Sequence, residues 1–298
     1  MIRKDFRKNW VIYLIALPVI VFFAVFAYAP MVGVLMAFQS YQIKGGIFGS
    51  PWVGFKNFLD FFNSYYFGRL IKNTFLLSFY DLLLGFPAPI LFALLMNELR
   101  GVKYKRVVQT ITYMPYFISV VVIAGIIKDF FSSSGAVTLL LGSITGSTSN
   151  MIGDAANFRG IFVGTNIWQF LGFNSVIYMA ALAGVDQELY DAAALDGAGR
   201  LGKAIHVTLP CIMSTIVILL ILRIGNLLTV SFEKVLLLYA PSTYSVSDVI
   251  MTFTYRKGLQ EFNYGYSTAV GLFNSVLNFL MLISANAISK KFTETSLF

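Results

Sequence analysis

The sequence predicts an all-α integral membrane protein with six transmembrane helices. Composition is the first reason. Hydrophobic residues make up 57% of the 298 positions and charged residues only 12%, about half the charged share of a typical soluble protein, and the mean hydropathy is +0.75. A soluble fold of this size cannot cover its surface with so few charges. The second reason is spacing. Six apolar stretches, near 10–38, 73–97, 107–127, 160–185, 211–230 and 267–289, each reach the ~20 residues a helix needs to cross the hydrocarbon core.

The first stretch follows Arg3, Lys4, Arg7 and Lys8, is too long for a removable leader and shows no small-residue cleavage site. It reads as an anchor that stays in place. The second carries Asp81 two turns in, then Pro87 and Pro89, whose missing backbone donors predict a kink. The fourth holds Asn166, Gln169 and Asn174, and the fifth Arg223 and Asn226. In the sixth, Ser267, Gly271, Asn274 and Asn278 recur at intervals of three and four, so they share one helical face. Between spans, 132–150 is rich in Gly, Ser and Thr and reads as a loop of little structure. The long segment 231–266, with many Tyr and Phe beside Arg256 and Lys257, suits either a protein partner outside or an interfacial aromatic belt. No internal repeat stands out, and a single transmembrane domain over 1–298 is expected, its core about 70–290.

Lys and Arg gather before span 1, in Arg100, Lys103, Lys105 and Arg106 between spans 2 and 3, in Arg200 and Lys203 between spans 4 and 5, and in Lys290 and Lys291 after span 6. That bias places both termini in the cytoplasm. The net charge of +8 is thus a topology signal beside lipid rather than a nucleic-acid footprint. Cys211 and His206 are each alone in the sequence, which argues against a disulfide framework, a metal site built on histidine, and Ser-His-Asp catalysis. No Lys is followed by Ser or Thr, so the phosphate-cradling loop GxxxxGK[ST] is missing. Any ATP would have to be bound by another chain.

Arg223 lies near the middle of span 5. A central arginine costs roughly 2.5–3.5 kcal/mol on insertion scales, which the surrounding Ile, Leu and Val offset at roughly 0.3–0.6 kcal/mol each. Such a charge faces a bundle interior or a watery cavity. It either lines a path and meets an acidic ligand, or closes an ion pair within the bundle. The amides Asn226, Asn166, Gln169, Asn174, Asn274 and Asn278 divide the same way, between helix-to-helix glue and a hydrogen-bonding path for a polar cargo, with Trp168 and Phe173 offering ring faces for stacking. Asn174 lies about 140° around the helix from Gln169.

The segment 186–210 between spans 4 and 5 has a helix pattern of its own. Asp186 can cap it, with Gln187 and Glu188 in the first turn. Leu189, Ala192 and Ala193 make a small apolar face, and Gly197 and Gly199 end it. Such a helix on the membrane surface either docks into a groove on another protein or is a connector without a partner.

The run Asp191-Ala-Ala-Ala-Leu-Asp-Gly-Ala198, followed by Leu209-Pro210, resembles the EAA loop of ABC-importer membrane subunits. FGSPWVGFKNF (48–58), GFPAPILFALLMNELR (85–100), QTITYMPYFIS (109–119), FEKVLLLY (232–239) and the closing SKKFTETSLF are similar to the LplB-type branch of carbohydrate permeases. The resemblance implies a type I importer-like fold with a cytoplasmic coupling helix that sits in a cleft of an ATPase subunit. Asp191, Ala192, Ala193, Asp196, Gly197, Ala198 and Pro210 would be the coupling set, with Asp191 one methylene shorter than the family's Glu. It further implies a second, homologous permease, two copies of a cytoplasmic ATPase, an extracytoplasmic solute-binding protein, an oligosaccharide cargo, no cofactor on this chain, no covalent chemistry, and residence in the bacterial plasma membrane. The rival reading is an ion-coupled secondary transporter of sugars; the missing repeats and sparse midplane charges count against it.

Overall fold

The computed structural model describes residues 2–99, 101–146, 149–229, 231–293 and 296–297, with the side chains of 2–7, 145, 292 and 293 excepted. Arg100, Val230 and positions 294, 295 and 298 of the closing run lie outside the described residues, as do the side chains of Arg3, Lys4 and Arg7.

Among the described residues regular structure is helical, apart from an isolated antiparallel bridge between Gln39 and Trp52. Three helices are by themselves long and apolar enough to cross a membrane: Lys8–Phe38, Phe67–Glu98 and Tyr264–Lys291. Three more spans arise when each of three bent pairs is taken as one: Val102–Phe117 with Val120–Phe130, bent by 100°; Ala155–Ala183 with Gln187–Leu195, bent by 74°; and Arg200–Cys211 with Met213–Gly225, bent by 65°. Six spans are therefore present with bent pairs counted as single elements.

The bends correct the sequence reading in two places. The third span is not one straight helix over 107–127. Pro115 lies in a tight turn, Met114–Phe117, Ile118 is extended, and Ser119 starts a new helix by accepting from the Val122 N–H at 3.4 Å. Nor does the helix leading into span 5 begin at 211. A helical rod already runs from Arg200 through a wide turn, Ala204–Thr208, to Cys211, and the break comes at Ile212. Pro210 follows directly on the wide turn Ala204–Thr208, a local widening that accommodates a residue with no N–H to donate to the turn before it. In span 2, Pro87 likewise opens a fresh segment, Pro87–Glu98, directly after Phe67–Gly85. The two run on as one 32-residue helix, so the expected kink is mild.

Two supposed loops are also ordered. Residues 136–145 form a helix closed by Gly146 in the left-handed conformation. The segment 231–266 folds into Phe232–Leu238, Pro241–Thr243, Tyr244–Ser247, Ile250–Tyr255 and Arg256–Gln260, because Val235, Leu238, Val249 and Ile250 are buried.

The chain packs as two compact units, Met1–Ser64 with Phe253–Phe273, and Tyr65–Thr252 with Asn274–Phe298. In the first, Phe61 is buried among Phe62, Phe253, Tyr266 and Phe273, with ring centroids 5.6–6.4 Å apart. Asn57 donates to the carbonyls of Ala37 and Gln39 at 2.9 and 3.0 Å. Most side chains of its long N-terminal helix are exposed and apolar, a surface made for lipid or another membrane chain. In the second unit, span 2 packs along Ala155–Ala183. Leu77, Ile123, Phe158, Phe162, Val235 and Val249 share one core, and Ile90, Ala93, Tyr178, Leu182 and Ile212 another. A Cβ at Gly172 would come within 2.3 Å of the Thr112 carbonyl oxygen, so glycine there lets spans 3 and 4 meet backbone to backbone.

Candidate functional site

Two places in the second unit gather the residues singled out from sequence. The first is the segment after span 4. Asp186 accepts from the Glu188 N–H at 3.0 Å and starts the helix Gln187–Leu195. Gly197, at φ +80°, ends it. The Gly197 N–H bonds back to Ala194 at 3.1 Å and that of Ala198 to Ala193 at 2.9 Å, a closure that needs a left-handed residue between helix and exit. Asp191, Ala192, Asp196 and Gly197 are exposed, and Ala193 and Ala198 half-buried. Leu195 is 91% exposed and Leu201 73%, so an apolar, small-faced helix stands open beside its turn. Tyr190 ties it to the following rod by a 3.1 Å bond between its hydroxyl and that of Thr208.

The second place is a charged centre. Asp81 of span 2 is ion-paired with Arg223 of span 5 through its Oδ2 and accepts from Asn166 Nδ2 of span 4 at 2.8 Å through its Oδ1. The side-chain oxygens of Asn166 and Gln169 both receive Lys234 Nζ at 3.3 Å. That lysine is 1% exposed, and its ammonium stands 5.9 Å over the Phe162 ring. Spans 2, 4 and 5 and the short helix Phe232–Leu238 thus converge on one network. A buried charge is tolerated when it is both paired and hydrogen-bonded; Asp81 and Arg223 meet both conditions, and Lys234 is held by two amide oxygens. Asp81 and Arg223 are therefore not isolated, as their separation in sequence suggests, but partners.

A cavity of about 260 Å³ opens onto this centre, lined by Asp81, Asn166, Asn174, Arg223, Tyr116 and Phe173 among others. Tyr116 and Phe173 stack face to face, centroids 3.7 Å apart and 4° from parallel. Asn226 joins Arg223 and Asn174 around an adjoining cavity of about 290 Å³. Ring faces, amides and a guanidinium converge there: flat apolar surface for the faces of a sugar, donors and acceptors for its hydroxyls, a cation for a carboxylate.

The predicted path residues separate accordingly. Arg223, Asn226, Asn166 and Asn174 border the two cavities. Gln169 points instead to Lys234. Asn278 holds the stretch of chain after span 5, accepting from the Leu228 N–H at 3.0 Å and donating to Thr229 Oγ1 at 3.0 Å, and Asn274 reaches the Leu228 carbonyl at 3.5 Å. Trp168 is 47% exposed and borders neither cavity. Lys234, hidden within FEKVLLLY, is the residue the sequence reading passed over. Its signal was there, since Lys234 and Leu238 lie four apart, on one face of a short apolar helix. A second ion pair was missed too: half-buried Arg69 meets buried Asp248 at 3.4 Å, and Thr252 donates to the same carboxylate at 2.9 Å.

Comparison with known proteins places this geometry. Residues 68–294 match the family model of the binding-protein-dependent transport system inner membrane component. Protein LplB of Bacillus subtilis is 45% identical over 98% of this chain and 92% of its own. The polygalacturonan/rhamnogalacturonan transport system permease protein YteP of the same organism is 40% identical over 99% and 95%. A crystal structure of a bacterial alginate ABC transporter, in complex with an alginate pentasaccharide-bound periplasmic protein, contains a chain that superposes with a TM-score of 0.91 at 42% identity, covering 99% of each.

Proposed function

This chain belongs to the family of binding-protein-dependent transport system inner membrane components, and on that footing we propose that it forms half of the translocation path of an ATP-driven oligosaccharide importer. The observation that carries the reading is the cavity beside Arg223, lined by the stacked rings of Tyr116 and Phe173 and by the amides of Asn166 and Asn174. The cargo is an oligosaccharide cut from an acidic polysaccharide, a class supported by what YteP and the alginate transporter are named for. Arg223 holds a sugar carboxylate with donors that Asp81 leaves over, since a guanidinium has five. Asn174 and Asn226 bond hydroxyls, and Tyr116 and Phe173 offer ring faces.

ATP is hydrolysed elsewhere, on two copies of a cytoplasmic subunit, one of which receives the helix Gln187–Leu195. Asp191, Ala192, Ala193, Asp196, Gly197 and Ala198 make that contact, on the cytoplasmic side where both termini also lie. The push passes from this helix through the Tyr190–Thr208 bond to the rod Arg200–Cys211, past the bend at Ile212, into Met213–Gly225, which carries Arg223. A second permease completes the path, and a solute-binding protein delivers cargo on the opposite face. These relatives do not favour an ion-coupled secondary transporter.

The test is a mild-detergent pull-down of the tagged chain from its native membrane, with the co-purifying proteins identified by mass spectrometry. Recovery of an ATPase carrying the phosphate-cradling loop, together with a second six-span permease, is expected. Recovery of this chain alone across several detergents would overturn the proposal.

A further inference from the structure

We propose that Lys234 sets the charge of the translocation cavity and so its preference for acidic over neutral oligosaccharide, an inference that rests on the cavity being the sugar path. The centre holds two cations, Arg223 and Lys234, and one anion, Asp81, a formal charge of +1. The two cations are unlike in access. Lys234 is 1% exposed and lines a neighbouring cavity of about 380 Å³ with Gln169, Ser231 and Glu233, whereas the Arg223 side chain is 47% accessible and borders the two cavities described above.

Asn166 links them. Its carbonyl oxygen faces the Lys234 ammonium and its NH2 faces the Asp81 carboxylate, so the amide dipole is aligned between cation and anion and each end is satisfied. Asp81 is thereby stabilised from two sides, by Lys234 through the amide and by Arg223 directly. Positive charge in excess of what Asp81 can balance is left on the cation that the cavity reaches. A carboxylate entering beside Arg223 completes the balance; a neutral sugar leaves it incomplete at membrane depth, where an uncompensated charge is unfavourable. Lys234 acts from outside the two cavities that Arg223 borders. It is a positioning residue that acts through Asp81 on Arg223.

The test is uptake by the native complex, purified with its partners and reconstituted into liposomes with ATP on the ATPase side. Tetragalacturonate and its neutral methyl ester serve as probes. The binding protein is common to every variant, so a change in the ratio of the two uptakes reports the permease. Four forms give the centre a formal charge of 0 (Lys234→Met), +1 (wild type), +1 (Asp81→Asn with Lys234→Met) and +2 (Asp81→Asn). The preference for the acid over its ester should fall roughly fivefold at 0, return at the restored +1, and rise at +2, a step in keeping with a partly accessible charge pair. The charge-matched double variant should assemble best. Where one single variant fails to assemble, the other and the double decide. A ratio indifferent to the four charge states, or equal loss of both probes in Lys234→Met without recovery in the double, would overturn the role of Lys234 alone. Wild-type uptake of neither probe would instead overturn the substrate reading, and this inference with it.

Discussion

The coupling segment and the charged centre lie on the same unit but are held in opposite ways. Residues 186–198 keep their shape by bonds to neighbours two to five positions off, the Asp186 cap and the Ala193–Ala198 closure, and offer their side chains outward. The charged centre joins residues 81, 166, 223 and 234, whose hydrogen bonds span 85, 142 and 68 positions, and keeps most of them from solvent. A surface that must dock can tolerate small changes in stability, because few tertiary contacts depend on it. A centre of buried charge tolerates less, because Asp81, Asn166 and Lys234 depend on one another for their partners.

That contrast can be broken by mutation. The largest expected effect is on stability at the centre. Asp81→Ala takes the carboxylate partner from Arg223 and the acceptor from Asn166 and should cost about 2–3 kcal/mol, less than a fully buried pair because the Arg223 side chain is 47% accessible, read as a drop in the thermal unfolding temperature of the purified complex. Next comes Asn278→Leu, which strips the partner from the buried Leu228 N–H and should cost about 1–3 kcal/mol by the same measurement. Gly197→Ala puts a Cβ on a left-handed residue, with nothing else within 4 Å; it should cost about 1 kcal/mol in local strain, and uptake should fall more than stability does. Smallest is Asp191→Glu at an exposed position: unfolding should move by less than about 0.5 kcal/mol, with uptake retained. A coupling-segment variant that unfolds the protein, or a centre variant that leaves it untouched, would erase the distinction.

The same contrast explains what could be read in advance. Apolar length gave the spans, and Asp186, Gly197 and the small residues between them gave the coupling helix, because both signals are local. The sharp bends at 118 and 212 were hidden, since hydropathy averaged over a span does not register a break that one extended residue or one turn can make. Asp81 and Arg223 were each visible as intramembrane charges, yet nothing in sequence spacing says that positions 142 apart will pair. Lys234 was obscured because the apolar segment 231–266 reads as a loop by length, although its periodicity is helical. Asn274 and Asn278 could be placed on one face, but whether that face served a path or a neighbouring chain segment depended on where Leu228 and Thr229 came to rest.

The central claim is that the work of ATP enters this chain at Gly197 and its helix and leaves as movement of the cavity around Arg223. The most direct test is ATP-driven uptake by the reconstituted complex carrying Gly197→Arg, with insertion and thermal stability measured on the same preparation. The account predicts an inserted, stably folded chain whose uptake is abolished. Normal uptake by a well-expressed Gly197→Arg complex would contradict it.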